Sequence, residues 1–366
     1  MAGSSFGNIF RITTWGESHG KALGVVIDGV PAGLKLSESD IQPYMDRRAP
    51  GSSMISTPRK EADEVEILSG TFEGKTTGCP ISVMVRNTSQ HSSDYSAIKD
   101  IYRPGHADYT FDAKYGFRDY RGGGRSSGRE TLCRVAAGAV AAKLLKELGI
   151  DVCSYTRSIG PVSIDPANFD RALITTLPTC MPDQEANDKA LEYLESVRSE
   201  ADSAGGVIET VISGMPAGIG DPVFDKLSAD LAKAIMSIGA MKALEFGDGI
   251  GVSSAKGSEN NDAFRMDGDK VTKATNHSGG LLGGMSDGSD IIIRSYVKPT
   301  PSIYKTQETV TKDNEDTRIN IEGRHDPIIV PRAVVVVESM CAITLADALM
   351  TNMSARLDSL KTFYRQ

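Results

Sequence analysis

The chain has 366 residues, of which 40% are hydrophobic and 24% charged, and its net charge is -8. An acidic surface of this kind repels nucleic acid and anionic membrane, so neither is an expected partner and any anionic ligand needs a local basic pocket. The five cysteines (Cys79, Cys133, Cys153, Cys180 and Cys341) are scattered and form no C-x-x-C pair. This excludes a sequence-encoded disulfide framework or zinc knuckle. There is no basic segment followed by an apolar core at the N-terminus, and no apolar run of bilayer length, so a cytoplasmic location is expected.

In chain order, Gly7–Thr14 reads as a strand, followed by the loop Trp15–Gly20 and a second strand over Ala22–Val30. Leu36–Arg48 reads as a short helix capped by Ser37 or Ser39. Glu64–Gly70 and Cys79–Arg86 read as paired strands joined by the turn-rich Phe72–Gly78. Residues 88–128 lack apolar periodicity and read as a long loop, which in a compact protein is functional or disordered. Leu132–Leu148 is the clearest helix, with apolar residues at Leu132, Val135, Ala136, Ala139, Val140, Leu144 and Leu148. A polar helix over Gln184–Ser203, a strand over Val207–Ile212 and a helix over Lys226–Ile238 follow. The Gly-rich stretch Gly279–Gly284 then precedes a strand at Ile291–Val297. Ile328–Val337 reads as an apolar strand, and Ser339–Leu360 as the closing helix. No linker-like segment divides the chain, so one domain spanning 1–366 is expected.

One internal echo stands out. Val26-Ile-Asp-Gly-Val-Pro-Ala-Gly-Leu34 and Val211-Ile-Ser-Gly-Met-Pro-Ala-Gly-Ile219 are identical at six of nine positions, 185 residues apart. Turn chemistry alone can repeat a strand–Gly-x-Pro-x-Gly–helix connection. The other explanation is a duplicated unit, giving pseudo-repeat halves over about 5–150 and 195–361, with ligand sites in the cleft between them.

The chemistry concentrates between Arg103 and Arg134. Six arginines and Lys114 outweigh Asp108, Asp112, Asp119 and Glu130, a local balance of +3 in an acidic protein. Guanidinium groups match carboxylate and phosphate oxygens in pairs. Gly122-Gly-Gly124 lets backbone approach a ligand closely. Ser127 and Glu130 have the spacing of a capping box, so the loop delivers a ligand to a helix N-terminus, where anions are favoured. Buried arginines lacking their anion would repel one another, so the loop is expected to order only with ligand. The run is neither a Walker A loop nor G-x-G-x-x-G. His106, at the edge of this loop, suits a general acid for a phosphate leaving group. Lys298-Pro-Thr-Pro-Ser302 offers a cation and two hydroxyls. Asp326 is either a general base or an Asx turn before Pro327. No His/Cys/Asp spacing suggests a metal.

Gly16-Glu-Ser-His-Gly20 formally fits the nucleophile elbow G-x-S-x-G, which would make Ser18 a hydrolase nucleophile. The elbow needs a strand-to-helix turn, whereas a strand follows here, so His19 is the expected functional residue of this loop. A non-catalytic flavin- or anion-binding protein is the third reading.

Three stretches carry a family resemblance: Gly16–Gly20, the 17-residue run Tyr115-Gly-Phe-Arg-Asp-Tyr-Arg-Gly-Gly-Gly-Arg-Ser-Ser-Gly-Arg-Glu-Thr131, and Gly323-Arg-His-Asp-Pro327. They resemble the signature regions of chorismate synthases, in register from about Gly7 to Leu360. The resemblance implies an α+β, β-α-β sandwich with internal duplication, assembled as a homotetramer. It implies a lyase that converts 5-enolpyruvylshikimate 3-phosphate to chorismate and phosphate by a 1,4-elimination, with reduced FMN required. By position, His106 would protonate the departing phosphate, His19 would support the reduced flavin, and Asp326 would help take the proton from flavin N5. Flavin binding would fall to Arg125, Ser126, Ser127, Gly239, Ala240, Gly283, Lys298, Pro299, Thr300, Pro301, Ser302 and Arg324. Arg48, Arg103 and Arg129 would meet substrate. Many relatives have arginine where this chain has Met54, at a position that with that of Arg48 contacts NADP in the family, so Met54 weakens the expectation of nicotinamide binding; many also have asparagine at Gly239. The length resembles that of the monofunctional members, which need an external flavin reductase.

Overall fold

The computed structural model describes residues 3–49, 63–87, 99–321 and 326–365. Within them the chain is α+β, with two five-stranded antiparallel sheets. The first sheet is built from β1 (Ser5–Phe6), β2 (Arg11–Gly16) and β3 (Ala22–Asp28), then, beyond helix α1 (Glu38–Arg48), from β4 (Val65–Ser69). A small hairpin, β5 (Thr71–Phe72) and β6 (Lys75–Thr76), leads into β7 (Ile81–Arg86). Helices α2 (Asp108–Tyr115) and α3 (Thr131–Glu147) complete this half. The strand order is β1-β2-β3-β7-β4.

The second sheet begins with β8 (Asp151–Ile159) and β9 (Val162–Ser163). After helix α4 (Gln184–Ser199) come β10 (Gly206–Ser213), α5 (Leu227–Met236) and β11 (Met241–Phe246). A hairpin, β12 (Leu281–Leu282) and β13 (Met285–Ser286), leads into β14 (Ile291–Val297). The hairpin β15 (Gln307–Val310) and β16 (Asp316–Ile319) follows, then α6 (Val330–Asn352) and α7 (Leu357–Tyr364). This sheet runs β9-β8-β10-β14-β11. Both sheets therefore place the strand after a small hairpin between an earlier strand and the strand that precedes the hairpin.

Helix α3 packs on β2, β3 and β7, and α6 packs on β8 and β10. The two helices cross at Gly138, where a Cβ would come 2.2 Å from that of Ser339. Only glycine allows so close an approach. Helix α1 packs on both α3 and α6, and the half-buried Arg47 paired with the buried Glu338 fastens α1 to α6.

Several expectations are corrected. Ile328–Val337 is not a strand; from Val330 it is the start of α6. Residues 334–337 are four buried valines. A helix buried on every side shows no amphipathic period, and a β-branched run then reads as a core strand. At 23 residues α6 is long and apolar enough to cross a membrane, contrary to the sequence expectation, yet most of it is buried inside the protein. The strand expected over Gly7–Thr14 is β2, which starts at Arg11, with the short β1 (Ser5–Phe6) before it. The segment expected to be a loop over 88–128 contains α2. Ser127 and Glu130 form no capping box: the Ser127 hydroxyl accepts from the Arg129 N–H at 3.3 Å, and Glu130 is itself the residue preceding α3.

Candidate active site

A cavity of about 510 Å³ opens between the two halves. That is within the range of small-molecule sites. Its first wall comes from the glycine-rich loop: Arg125, Ser126, Ser127, Gly128, Glu130 and Thr131 at the start of α3. The opposite wall is Ser237, Ile238, Gly239 and Ala240 after α5, with Lys298, Thr300, Pro301 and Ser302 after β14. Arg48, at the C-terminal end of α1, and Arg332, in the first turn of α6, close one side; His106 closes the other. Five cations (Arg48, Arg125, Arg134, Lys298 and Arg332) thus face one carboxylate, Glu130.

Each wall is held by bonds between distant segments. Arg125 donates to the Gly16 carbonyl at 3.1 Å and to the Thr14 hydroxyl at 2.5 Å, fixing the loop to the end of β2. Glu130 accepts from Thr14 and from Arg134 Nε, at 3.1 and 2.8 Å. Arg134 reaches across to the Ser237 hydroxyl at 2.6 Å, joining the two halves. Ala240 has a positive φ of 71°, a conformation that costs a non-glycine residue energy and that clusters at functional sites.

Arg48 is 2% exposed and bonded to Asp63, which also accepts from Arg129 at 2.9 Å. Burial pushes the Arg48 guanidinium below its ordinary value; Asp63 opposes that shift, while the charges of Arg332 and Arg129 add to it. Its Nε has no hydrogen-bond partner among the described residues, and the same is true of the buried Thr300 hydroxyl. Unsatisfied buried polar atoms on a cavity wall mark places where a ligand completes the bonding. Asn87 then links Arg129 to the loop before β3: it accepts from Arg129 Nε at 2.6 Å and donates to the Gly20 carbonyl at 2.7 Å.

His106 is held from two directions. The Lys298 ammonium donates to the Gly105 carbonyl at 2.9 Å, and a Cβ on Gly105 would meet Pro301 at 2.9 Å. On the other side, Arg103 and Asp108 bracket the His106 Nδ1 at 3.1 and 3.4 Å. Burial would raise the Asp108 carboxyl, but hydrogen bonds from Arg103 and His106 and the Arg103 charge hold it far below the usual carboxylate range.

Eleven of the residues expected from sequence line this cavity: Arg48, His106, Arg125, Ser126, Ser127, Gly239, Ala240, Lys298, Thr300, Pro301 and Ser302. Arg103 is buried on Asp108, and Arg129 lies behind Arg48 on Asp63, so neither guanidinium is on the wall. Asp326 pairs with Arg332, which does reach the wall. Pro299 packs near Gly205, and Gly283 sits in the turn between β12 and β13; both are off the wall. His19 lies against Gly122, where a Cβ would come 2.2 Å from its Nδ1. It stands behind a second cavity of about 510 Å³ lined by Glu17, Phe111, Tyr115, Phe117 and Gly122–Ser126. Arg324 and Met54 lie outside the described residues. The elbow reading of Ser18 has no support in the fold, because Gly16–Gly20 joins the antiparallel strands β2 and β3. Within the loop, Arg103, Arg118, Arg121, Arg129 and Arg134 each have a carboxylate partner, and Arg125 is within 3.6 Å of Glu130.

Sequence reasoning missed Arg332, Asp63 and Ser237. Arg332 follows Pro331 just beyond the Arg-His-Asp-Pro motif, and that proximity was the available signal. Asp63 and Ser237 gave none.

The chain is similar to known proteins over nearly its whole length. The family model described as chorismate synthase matches residues 10–350. A curated chorismate synthase of Lachnoclostridium phytofermentans is 63% identical over 367 residues, covering all of both chains. That of Agathobacter rectalis is also 63% identical, over 366 residues and again all of both chains. A crystal structure titled as chorismate synthase superposes with a TM-score of 0.77 at 30% identity, covering 98% of this chain and 97% of that one.

Proposed function

Because the chain belongs to the chorismate synthase family, whose lyase activity converts 5-enolpyruvylshikimate 3-phosphate to chorismate and phosphate, we propose that this elimination takes place in the Arg48–His106 cavity. That activity places the enzyme in the shikimate pathway of aromatic amino acid biosynthesis. The observation that carries the assignment of the site is the meeting of five cations, two unsatisfied buried polar atoms and a histidine at one cavity. A substrate with a phosphate and two carboxylates needs such a surplus of fixed donors.

Arg48 and Arg332 would hold substrate anions, and His106 would give its proton to the departing phosphate. Arg103 and Arg129 would support these groups from behind, through His106 and Asp63. The flavin fits the loop and turn walls: Arg125, Ser126, Ser127, Gly239, Ala240 and Lys298 through Ser302 offer a cation, hydroxyls and backbone, and the unpartnered Thr300 hydroxyl is among them. When bound and reduced, FMN supplies electron density to the ring during the elimination. Asp326 and His19 would act on the flavin side, with Asp326 placed through Arg332. Gly283, Pro299 and Arg324 remain proposed contacts in the assembled enzyme.

The matching strand orders and the echoed turns after β3 and β10 support an internal duplication within one domain, and the contacts of α3 and α6 support a β-α-β sandwich. A cytoplasmic homotetramer served by an external flavin reductase completes the reading. The test is anaerobic incubation with 5-enolpyruvylshikimate 3-phosphate. Phosphate and chorismate should form together with reduced FMN and not with oxidised FMN; phosphate formed equally with both would overturn the proposal. A phosphonate probe should leave Ser18 unlabelled.

A further inference from the structure

The surroundings of His106 carry more than its place on a cavity wall. Its Nδ1 lies 3.1 Å from Arg103 Nη2 and 3.4 Å from Asp108 Oδ1. Arginine is only a donor and an ionised aspartate only an acceptor. In the neutral ring that carries its hydrogen on Nε2, Nδ1 accepts from Arg103. In the protonated ring, Nδ1 carries a hydrogen that Arg103 cannot receive and Asp108 can. One ring position therefore has a partner in either protonation state, and Nε2 is left for the cavity.

Asp108 is itself held rigidly. It is 5% exposed and accepts Arg103 Nε at 2.8 Å, Arg103 Nη2 at 2.7 Å and the Arg103 backbone N–H at 3.1 Å. Arg118 Nε stands 4.0 Å from it, and Arg118 is in turn bonded to Asp112. The charged groups around the ring are thus Arg103, Asp108 and Arg118 behind it, Lys298 on the Gly105 carbonyl beside it, and Arg48, Arg125, Arg134, Arg332 and Glu130 across the cavity.

We propose that Asp108 is a positioning residue that stabilises the protonated form of His106, so that the ring can give its Nε2 proton to the departing phosphate and keep the Nδ1 hydrogen bonded to Asp108. The step balances. The carbon–oxygen bond to phosphate breaks and its electron pair stays on the phosphate oxygen, which gains the Nε2 proton; the deficit left on carbon is filled by the pair of the C–H bond that breaks in the same 1,4-elimination, and the imidazole returns neutral with Nδ1–H on Asp108. This rests on the assignment of His106 as proton donor.

The test is the pH dependence of kcat for Asp108→Asn, with Asp112→Asn as control. Asp112 lies on the same helix and pairs with Arg118 without touching His106. A donor that must be protonated loses activity as pH rises. Removing its anionic partner should move that loss at least ~1 pH unit lower, and above both transitions kcat should fall about tenfold per unit moved. KM should change little, Asp112→Asn should keep the wild-type profile, and Asp108→Glu should recover part of it. A uniform loss with an unmoved profile in Asp108→Asn would overturn the proposal. Should Asp108→Asn not fold, NMR of the wild-type enzyme decides: the protonated ring should show an Nδ1–H signal protected from exchange with water, and rapid exchange would overturn it. His106→Ala separates the two assignments, because full activity in that variant removes the proton-donor role itself.

Discussion

The Asp63 and Glu209 networks are built from the same groups and end differently. Asp63 joins Arg48 and Arg129 at the cavity. Glu209, on β10, accepts from Arg157 at 3.0 and 2.9 Å, from Arg294 at 2.6 Å and from the Tyr155 hydroxyl. The register sets up the second network, because Tyr155 and Arg294 are the direct cross-strand neighbours of Glu209. Burial, and then the Glu209 charge, push the Tyr155 hydroxyl well above its ordinary value, so it stays a donor. No atom of that network is buried without a partner among the described residues, whereas Arg48 Nε is. A network that satisfies itself stabilises the sheet; one left incomplete on a cavity wall keeps a donor for a further partner, which under the proposed function is a substrate anion.

This contrast can be broken by substitution. The largest effect is expected from Asp63→Asn, which strands two guanidinium groups, one fully buried. Unfolding in denaturant should show a loss of ~3–5 kcal/mol, with turnover lost as well. Arg48→Met removes a buried cation while leaving Asp63 bonded to Arg129. Turnover, measured as kcat/KM for the phosphorylated substrate, should drop by ~2–5 kcal/mol equivalent, about 30-fold or more, while the unfolding midpoint holds or rises. Glu209→Gln should do the opposite. Stability should fall by ~1–3 kcal/mol, and turnover should stay at the wild-type level. Loss of activity in Glu209→Gln, or retained activity in Arg48→Met, would erase the distinction.

The smallest effect is one of pH. The folded-state carboxyl of Asp108 is depressed, so its contribution to stability is fully present above the unfolded value of ~3.9 and is lost as pH falls through the folded value. The difference in unfolding midpoint between wild type and Asp108→Asn should be constant above pH ~5 and narrow below pH ~4.

The two halves differ also in how readily their sequences could be read. Helix α3 was plain because Leu132, Val135, Ala136, Ala139, Val140 and Leu144 fall at helical spacing, although 135–141 are buried without a break. Strand β8 was not read at all. One face of it buries Ser154, Thr156 and Ser158, and Ser154 is bonded to Thr210 at 2.7 Å inside the protein. A buried face of serine and threonine has no hydrophobic alternation to detect. Helix α6 failed for the opposite reason, being apolar on every side. The site was legible where motif and chemistry coincided, as at His106, Arg125 and the Lys298 turn. It was illegible where a role depends on a partner brought in by the fold. Asp63 shows nothing in sequence that joins it to Arg48 and Arg129, and Arg103 reads as a ligand-binding arginine until Asp108 is seen to hold it.

The most direct measurement is phosphate release in a single anaerobic turnover with reduced FMN, comparing the wild-type enzyme with His106→Ala after FMN binding has been verified for both. The account predicts release slowed ~10²–10⁴-fold in the variant with FMN still bound. Equal rates in the two enzymes would contradict it.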